Sequence, residues 1–541
     1  MKQEGWGDRF QKKMASPAWT LPLAILAPVI FMWSKNWFMY NFNEISISLL
    51  ALFLVCSLVY VTGKFIYSLL KSKIKEKLRF LWHVVFCMLF IGVLLLFLEL
   101  SLRKVFAPEY FWFGTISVYC IAVLFLCFLT TKRGFGLINV FLLFWLLLST
   151  GTGLYGAIPA ALDGNALDES EHIELKERPN IYLFLLESYH DLKTMNKVYG
   201  IDVEPLQSWL SSRDFLIYEN VYSNTHATLL SMTNILGMRL NVAQGMGNND
   251  IEPKGRKLIG GGTGNQVYRI LKENGYHTVY LTSDTENPFY YFHPQGKYLD
   301  ETDIDFGPAP GLRPLYDGVF PFLNRAYNGY RALKKDEHGR VNSLQPKFRN
   351  KLIDNIRMIM EENKKPLFIG FKSGAIHTPT DSTYTWKQRN EWVSSGKYQG
   401  RVEEGNRELF EIVDLITEKD PSAVIVLLGD HGAWRLQGIW KDATYGDAAS
   451  LDALLKQHGE SLDTFASDVY GTFLAIRMPE KGDISNGLPV SHVNLFRHIF
   501  AAASPETSRA ILARRAPSES GRDLLGFMLV KDGVVQHPVK P

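Results

Sequence analysis

Five runs of apolar residues fall within the first 158 positions of this 541-residue chain, at 18–33, 45–61, 80–98, 111–129 and 135–156. Most approach the ~20 residues that cross the hydrocarbon core of a bilayer. The pattern predicts an N-terminal bundle of five transmembrane helices over residues 1–158. The first run is the shortest and carries Pro22 and Pro28. It is rich in Trp, lacks a small-residue cleavage site and is followed by four more runs, which argues against a removed signal peptide.

Basic residues orient this bundle, because segments held on the cytoplasmic side are enriched in Lys and Arg. With the N-terminus inside, the inside segments hold Lys2, Arg9, Lys12, Lys13, Lys64, Lys71, Lys73, Lys75, Lys77, Arg79, Lys132 and Arg133. The outside segments before residue 157 hold only Lys35, Arg103 and Lys104, twelve against three. An odd number of spans then places everything after residue 157 outside the cytoplasm. Glu99, near the outer end of the third run, reads as an interfacial partner of Arg103 one turn later, or as a polar contact for a lipid headgroup.

The net charge of +3 is too small for a polyanion-binding surface, so nucleic acid is excluded as a partner. All four cysteines (Cys56, Cys87, Cys120, Cys127) lie in apolar runs. The remainder of the chain therefore uses neither disulfides nor thiolate ligands.

Residues 159–179 form an acidic, aperiodic linker, and from residue 180 strands alternate with helices. The stretch 180–186 (NIYLFLL) is continuously apolar, as in a strand buried on both faces. Residues 277–281, 366–371 and 423–428 read alike; helices are predicted over 265–273, with Gly275 as its C-terminal cap, and over 351–362. The alternation predicts an α/β domain over 180–541 with a largely parallel central sheet and helices on both faces. Near the end, 527–530 and 534–536 flank Asp532-Gly533, a hairpin signal. The stretch 259–264 (IGGGTG) lacks the Gly-Lys-Ser/Thr ending of a phosphate loop and reads as a flexible turn.

Two of these strands end in metal-binding chemistry. Glu187 follows the first, and Asp430-His431 follows the strand at 423–428. Ligands of open α/β sheets bind beyond the carboxyl ends of strands, and two carboxylates with an imidazole can hold one divalent cation there. An oxygen-rich set with one His suits Zn²⁺ and Mn²⁺ equally. In 221–236 (VYSNTHATLLSMTNIL) a helix beginning near Thr225 or His226 would offer its amides to an anion, and a hydroxyl there can serve as a nucleophile.

Four ordered stretches, PNIYLFLLESYHD (179–191), NVYSNTHATLLSM (220–232), FKSGAIHTP (371–379) and VIVLLGDHGAW (424–434), resemble the alkaline phosphatase/sulfatase superfamily. The architecture resembles its membrane-anchored phosphotransferase branch, the lipoteichoic acid synthases and lipid A phosphoethanolamine transferases. The resemblance implies an enzyme of a bacterial plasma membrane with its catalytic domain in the periplasm or outside. It would move a phospho-headgroup from a membrane phospholipid to an envelope glycan or lipid acceptor. It also implies Glu187, Thr225, Asp430 and His431 as ligands of one divalent ion, Thr225 as the nucleophile and His377 as acid or base. Thr225 is preferred over Thr228 and Thr233 on this alignment alone, and Ser491-His492 matches a structural stretch.

The chain departs from the family's branches in three places. No Pro or Arg accompanies Thr225 where a sulfate-ester hydrolase carries its Cys-x-Pro-Ser-Arg motif, so desulfation is not implied. YYFHPQGKY (290–298) has Phe292 and Pro294 where lipoteichoic acid synthases carry Trp and Arg, with His293 as a partial substitute or a loop residue. AWRLQGIWKDATY (433–445) lacks the further histidine of phosphoethanolamine transferases. Two rival readings stay open: a phosphodiesterase of the same superfamily, and an inactive envelope binding or assembly protein.

Overall fold

The computed structural model of the protein describes residues 136–162, 172–223, 225–240, 265–282, 346–362, 366–373, 385–433, 435–440, 447–478 and 490–513, with short strands and isolated positions besides. The chain divides into two compact units: Met1–Asp163 with Gly307–Gly339, and Gly164–Phe306 with Arg340–Pro541.

In the first unit the principal described element is α1 (Gly136–Leu162), which overlaps the fifth apolar run. Its Leu142 is buried against Leu23 and Ala27, whereas Val140, Phe141, Phe144, Leu147 and Leu148 are exposed. Among the described residues no helix is long and apolar enough to cross a membrane. The third and fourth runs lie outside the described residues, and the first two are described only at scattered positions.

The second unit is built on a seven-stranded sheet. Its strands are β1 (Ile181–Leu186), β2 (Phe215–Ile217), β3 (His277–Thr282), β4 (Glu301–Thr302), β5 (Leu367–Ser373), β6 (Val424–Gly429) and β7 (Leu474–Arg477), in the order β2-β7-β6-β1-β5-β3-β4. Strands β6, β1, β5, β3 and β4 are parallel neighbours, and β7 runs antiparallel to both β6 and β2. The sheet is therefore the largely parallel one expected from the alternation. Strands β2, β4 and β7, of two to four residues, are too short to show a period in the sequence.

Successive side chains of a strand point to opposite faces. Ile181, Leu183 and Leu185 join one core cluster, and Tyr182, Phe184 and Leu186 join the other. In β6, Val424, Val426 and Leu428 share the first face, while Ile425 and Leu427 share the second. The second face is covered by α2 (Leu192–Tyr199), and the first by α3 (Thr228–Gly237) and α4 (Gln266–Glu273). Helices α5 (Pro346–Glu362) and α6 (Lys397–Lys419) complete the second layer, and α7 (Leu495–Ala502) the first. Both faces are covered, which is why the strands read as unbroken apolar runs.

The linker is shorter than its composition suggests. Residues 172–179 belong to the α/β unit: Ile173 and Leu175 are buried in the first cluster, and Asn274 bonds the backbone on both sides, accepting from Leu175 N at 2.8 Å and donating to Ile173 O at 2.7 Å. The segment is extended, with Glu174 and Lys176 facing out, so it has the period of a strand rather than of a helix. Gly275 takes the left-handed conformation (φ 83°) just after α4, as its place in the sequence requires. At the end of the chain β9 (Met528–Lys531) and β10 (Val534–Pro538) form the expected antiparallel pair, joined by β8 (Gly521–Arg522) in a separate sheet.

Candidate metal centre and active site

Alternation along three neighbouring strands delivers the chemistry to one place. Glu187 continues the face of Leu185, and Asp430 that of Leu428. Lys372, the penultimate residue of β5, lies in register with Leu185. All three side chains emerge at the carboxyl end of the sheet, on the face that α3 covers, and all are buried. Glu187, Asp430 and His431 each bring one ligand atom within 4.8 Å of the others.

The backbone is bent to hold them. Ser188 sits in the left-handed region (φ 59°), which is costly for a residue with a Cβ. Its N–H donates to Asp430 Oδ1 at 2.9 Å, and its carbonyl accepts from Tyr398 Oη at 2.9 Å. Asp430 Oδ1 also accepts the N–H of His431 at 2.8 Å. Gly432 has no room for a side chain, since a Cβ there would lie 2.0 Å from Asp468 O. His190 locks the same loop from below: it accepts from Ala433 N at 2.9 Å and its other nitrogen donates to Gly471 O at 3.1 Å. Tyr199 joins this layer, donating to Asp468. Burial pushes the His190 pKa down, keeping the ring neutral.

The donor set fits a divalent cation. Gly432 O accepts from His431 Nδ1 at 2.7 Å, which leaves Nε2 as the nitrogen that would face a metal. Nε2 lies 3.4 Å from Asp430 Oδ2, a buried oxygen that accepts no hydrogen bond among the described residues. Metal ligands bind deprotonated, so a cation placed here would join the carboxylate oxygen and the imidazole nitrogen that otherwise face each other.

The hydroxyl beside these three side chains is that of Thr228. Its Oγ1 donates to Glu187 Oε1 at 3.2 Å and lies 3.2 Å from His431 Nε2. Thr225 is buried too, yet its Oγ1 pairs with Ser231 Oγ at 2.8 Å, and Ser223 Oγ donates to its carbonyl. The structure thus brings Glu187, Asp430 and His431 together and sets Thr228, three residues beyond the residue chosen from the sequence, beside them. The reason is local. Ala227 is still extended (φ −143°, ψ 144°), so α3 opens at Thr228 and not at Thr225. No side chain caps this helix start, which leaves it suited to an anion.

His377, the stretch 290–298 and the stretch 259–264 lie outside the described residues. Two further histidines approach His431. His226 packs edge-on against Trp440 with ring centroids 5.5 Å apart, and burial, with the nearby His431, holds its pKa down at about 4. His492 bonds Thr472 Oγ1 through Nε2 at 2.9 Å, and the same two causes hold it at about 3. Lys372 escaped the sequence reading as well. Its Nζ lies 2.6 Å from Glu187 Oε2, a fully buried ion pair. The signal was a lone lysine inside an otherwise apolar strand (LFIGFKS).

The sequence model of the sulfatase family matches residues 179–504. No curated protein matches the chain. Among solved structures, the C-terminal periplasmic domain of EptC from Escherichia coli in complex with Zn is similar at 12% identity, over 68% of this chain and 94% of that one, with a TM-score of 0.38. The lipoteichoic acid synthase LtaP from Listeria monocytogenes is 13% identical over 69% of this chain and 82% of that one, with a TM-score of 0.33. The phosphonate monoester hydrolase SpPMH from Silicibacter pomeroyi is 13% identical over 64% and 76%, with a TM-score of 0.36. The family match alone spans more than half of the chain and every site residue above, and by it the protein belongs to the sulfatase family.

Proposed function

We propose that the protein transfers a phospho-headgroup from a membrane phospholipid to a glycan or lipid acceptor of the cell envelope, through a phosphothreonine at Thr228. The observation that carries this reading is the Thr228 hydroxyl, 3.2 Å from both Glu187 Oε1 and His431 Nε2 at the uncapped start of a helix. Glu187, Asp430 and His431, with Thr228 Oγ1, would hold one divalent ion, zinc or manganese. When bound, that ion supplies Lewis-acid charge at the hydroxyl and at the phosphate. Thr228 Oγ1 forms a bond to phosphorus as the bond to the diacylglycerol oxygen breaks, and diacylglycerol leaves with the proton. An acceptor hydroxyl then bonds to phosphorus, and Thr228 regains its hydrogen. The first-turn amides of α3 face charge that builds on the phosphoryl oxygens. His377, as acid or base, is part of the proposal.

Lipid supply favours transfer over hydrolysis. Five apolar runs exceed what an anchor requires, and the basic asymmetry argues for a multi-pass protein of a bacterial plasma membrane with the α/β domain outside. The exposed apolar stripe of Phe141, Phe144, Leu147 and Leu148 on α1 fits acyl chains. A membrane-held domain would meet its donor at high effective concentration. Reporter fusions after residue 180 are expected to read as extracytoplasmic; a cytoplasmic signal there sinks the donor assignment.

The chemistry is tested with a phospholipid labelled in its headgroup, without acceptor, followed by peptide mass spectrometry. Label is expected on Thr228, kept in Thr225→Ala and lost in Thr228→Ala. Label on Thr225 would restore the alignment-based nucleophile. Free headgroup phosphate with no labelled protein or acceptor would make the protein a phosphodiesterase.

A further inference from the structure

We infer that Lys372 serves the site as a built-in second cation, confining Glu187 to one oxygen and keeping the loaded site net positive toward an anionic phosphate. This rests on reading Glu187, Asp430 and His431 as a metal centre. Lys372 Nζ is 2.6 Å from Glu187 Oε2, with side-chain exposures of 0% and 4%. The other Glu187 oxygen, Oε1, is the one that accepts from Thr228. One carboxylate oxygen is thus committed to the ammonium, and one is left toward the hydroxyl and the ligand cluster.

The position is set by the sheet. Register pairs Lys372 with Leu185 on one side and Thr282 on the other, so its stem crosses the apolar face and its amine emerges beside the residue that follows β1. A lysine buried this completely is retained only with an opposite charge against it.

Formal charges give the consequence. Glu187 and Asp430 contribute two negative charges, Lys372 one positive, and His431 can hold a metal only as the neutral imidazole. A divalent ion then leaves the site at +1, and deprotonation of Thr228 brings it to zero. Without Lys372 the same steps would end at −1, in front of a phosphodiester that is itself an anion. Lys372 therefore weakens metal binding and strengthens oxyanion binding. A lysine that merely fills space would move neither in this opposed way.

The experiment uses the full-length chain and its Lys372→Met variant, which keeps the length of the stem. Zinc affinity is measured by competition with a chromophoric chelator, and inorganic phosphate affinity is measured on the zinc-loaded protein. The expected result is zinc binding at least tenfold tighter and phosphate binding at least tenfold weaker than in the wild type, with a lower melting temperature of the metal-free protein. Equal or weaker zinc binding with unchanged phosphate binding overturns the inference while leaving the metal centre intact. Failure of the wild type to bind zinc or manganese in an Asp430-dependent way overturns the metal centre, and the inference with it. If Lys372→Met does not fold, Lys372→Met with Glu187→Gln decides: recovery of folding supports a charge role, and continued failure refutes it.

Discussion

Asp430→Asn separates the cost of assembling this site from its use. Glu187 and Asp430 place oxygens within 4.8 Å of each other. At an effective dielectric of about 20 a separation of 4.8 Å corresponds to about 3.5 kcal/mol of repulsion, much of which Lys372 offsets by neutralising the Glu187 charge. Asn keeps an oxygen for the N–H groups of Ser188 and His431. Its amide nitrogen replaces the carboxylate oxygen that now faces His431 Nε2 at 3.4 Å, so that a donor meets the ring nitrogen that a neutral imidazole offers as an acceptor. The metal-free variant is therefore expected to be more stable than the wild type by about 1–2 kcal/mol, a rise of roughly 2–6 °C in Tm. In wild-type protein, zinc at a hundred times its Kd adds about 2.7 kcal/mol, and the variant loses that increment. Thermal scans of full-length protein, first with a chelator and then with excess zinc, read both quantities. A variant that melts below the wild type without metal, or that zinc stabilises as much as the wild type, would refute the reasoning.

Other substitutions probe the frame. Gly432→Ala puts a Cβ 2.0 Å from Asp468 O and 2.7 Å from His190 Cε1, so the loop must move; a loss of about 3 kcal/mol in stability and at least tenfold in zinc affinity is expected by denaturant and chelator titration. Ser188→Gly removes the left-handed strain at φ 59° and should leave stability unchanged or raised by about 0.5 kcal/mol, whereas Ser188→Val should cost about 2 kcal/mol or more. The pH dependence has a definite sign. His492 is held at about 3 when folded and titrates near its ordinary value of about 6.5 when unfolded. Above that range the ring is neutral in both states. As pH falls below it the unfolded chain gains a proton that the folded one refuses, so stability drops by about 1.4 kcal/mol per pH unit until pH nears the folded value. Denaturant titrations from pH 7 to 5 should show the slope in wild-type protein and a shallower one in His492→Gln.

The α/β class was legible because a strand covered on both faces must be apolar throughout, and NIYLFLL and VIVLLG are. The acidic ends of those runs were legible too, since Glu187 and Asp430-His431 follow where parallel strands open their binding edge. Local chemistry sufficed there. It did not suffice to tell which hydroxyl stands beside these residues. Thr225 and Thr228 stand three residues apart at a loop–helix boundary, and the choice depends on Ala227 staying extended and on Ser231 engaging Thr225. Nor could it reach Lys372. The pair with Glu187 exists because β5 lies next to β1, although 184 positions separate the two residues along the chain, and strand order is a property of the folded sheet. Residues adjacent along the chain announce which groups are available; the sheet's register decides which of them meet, and whether a buried charge finds its partner.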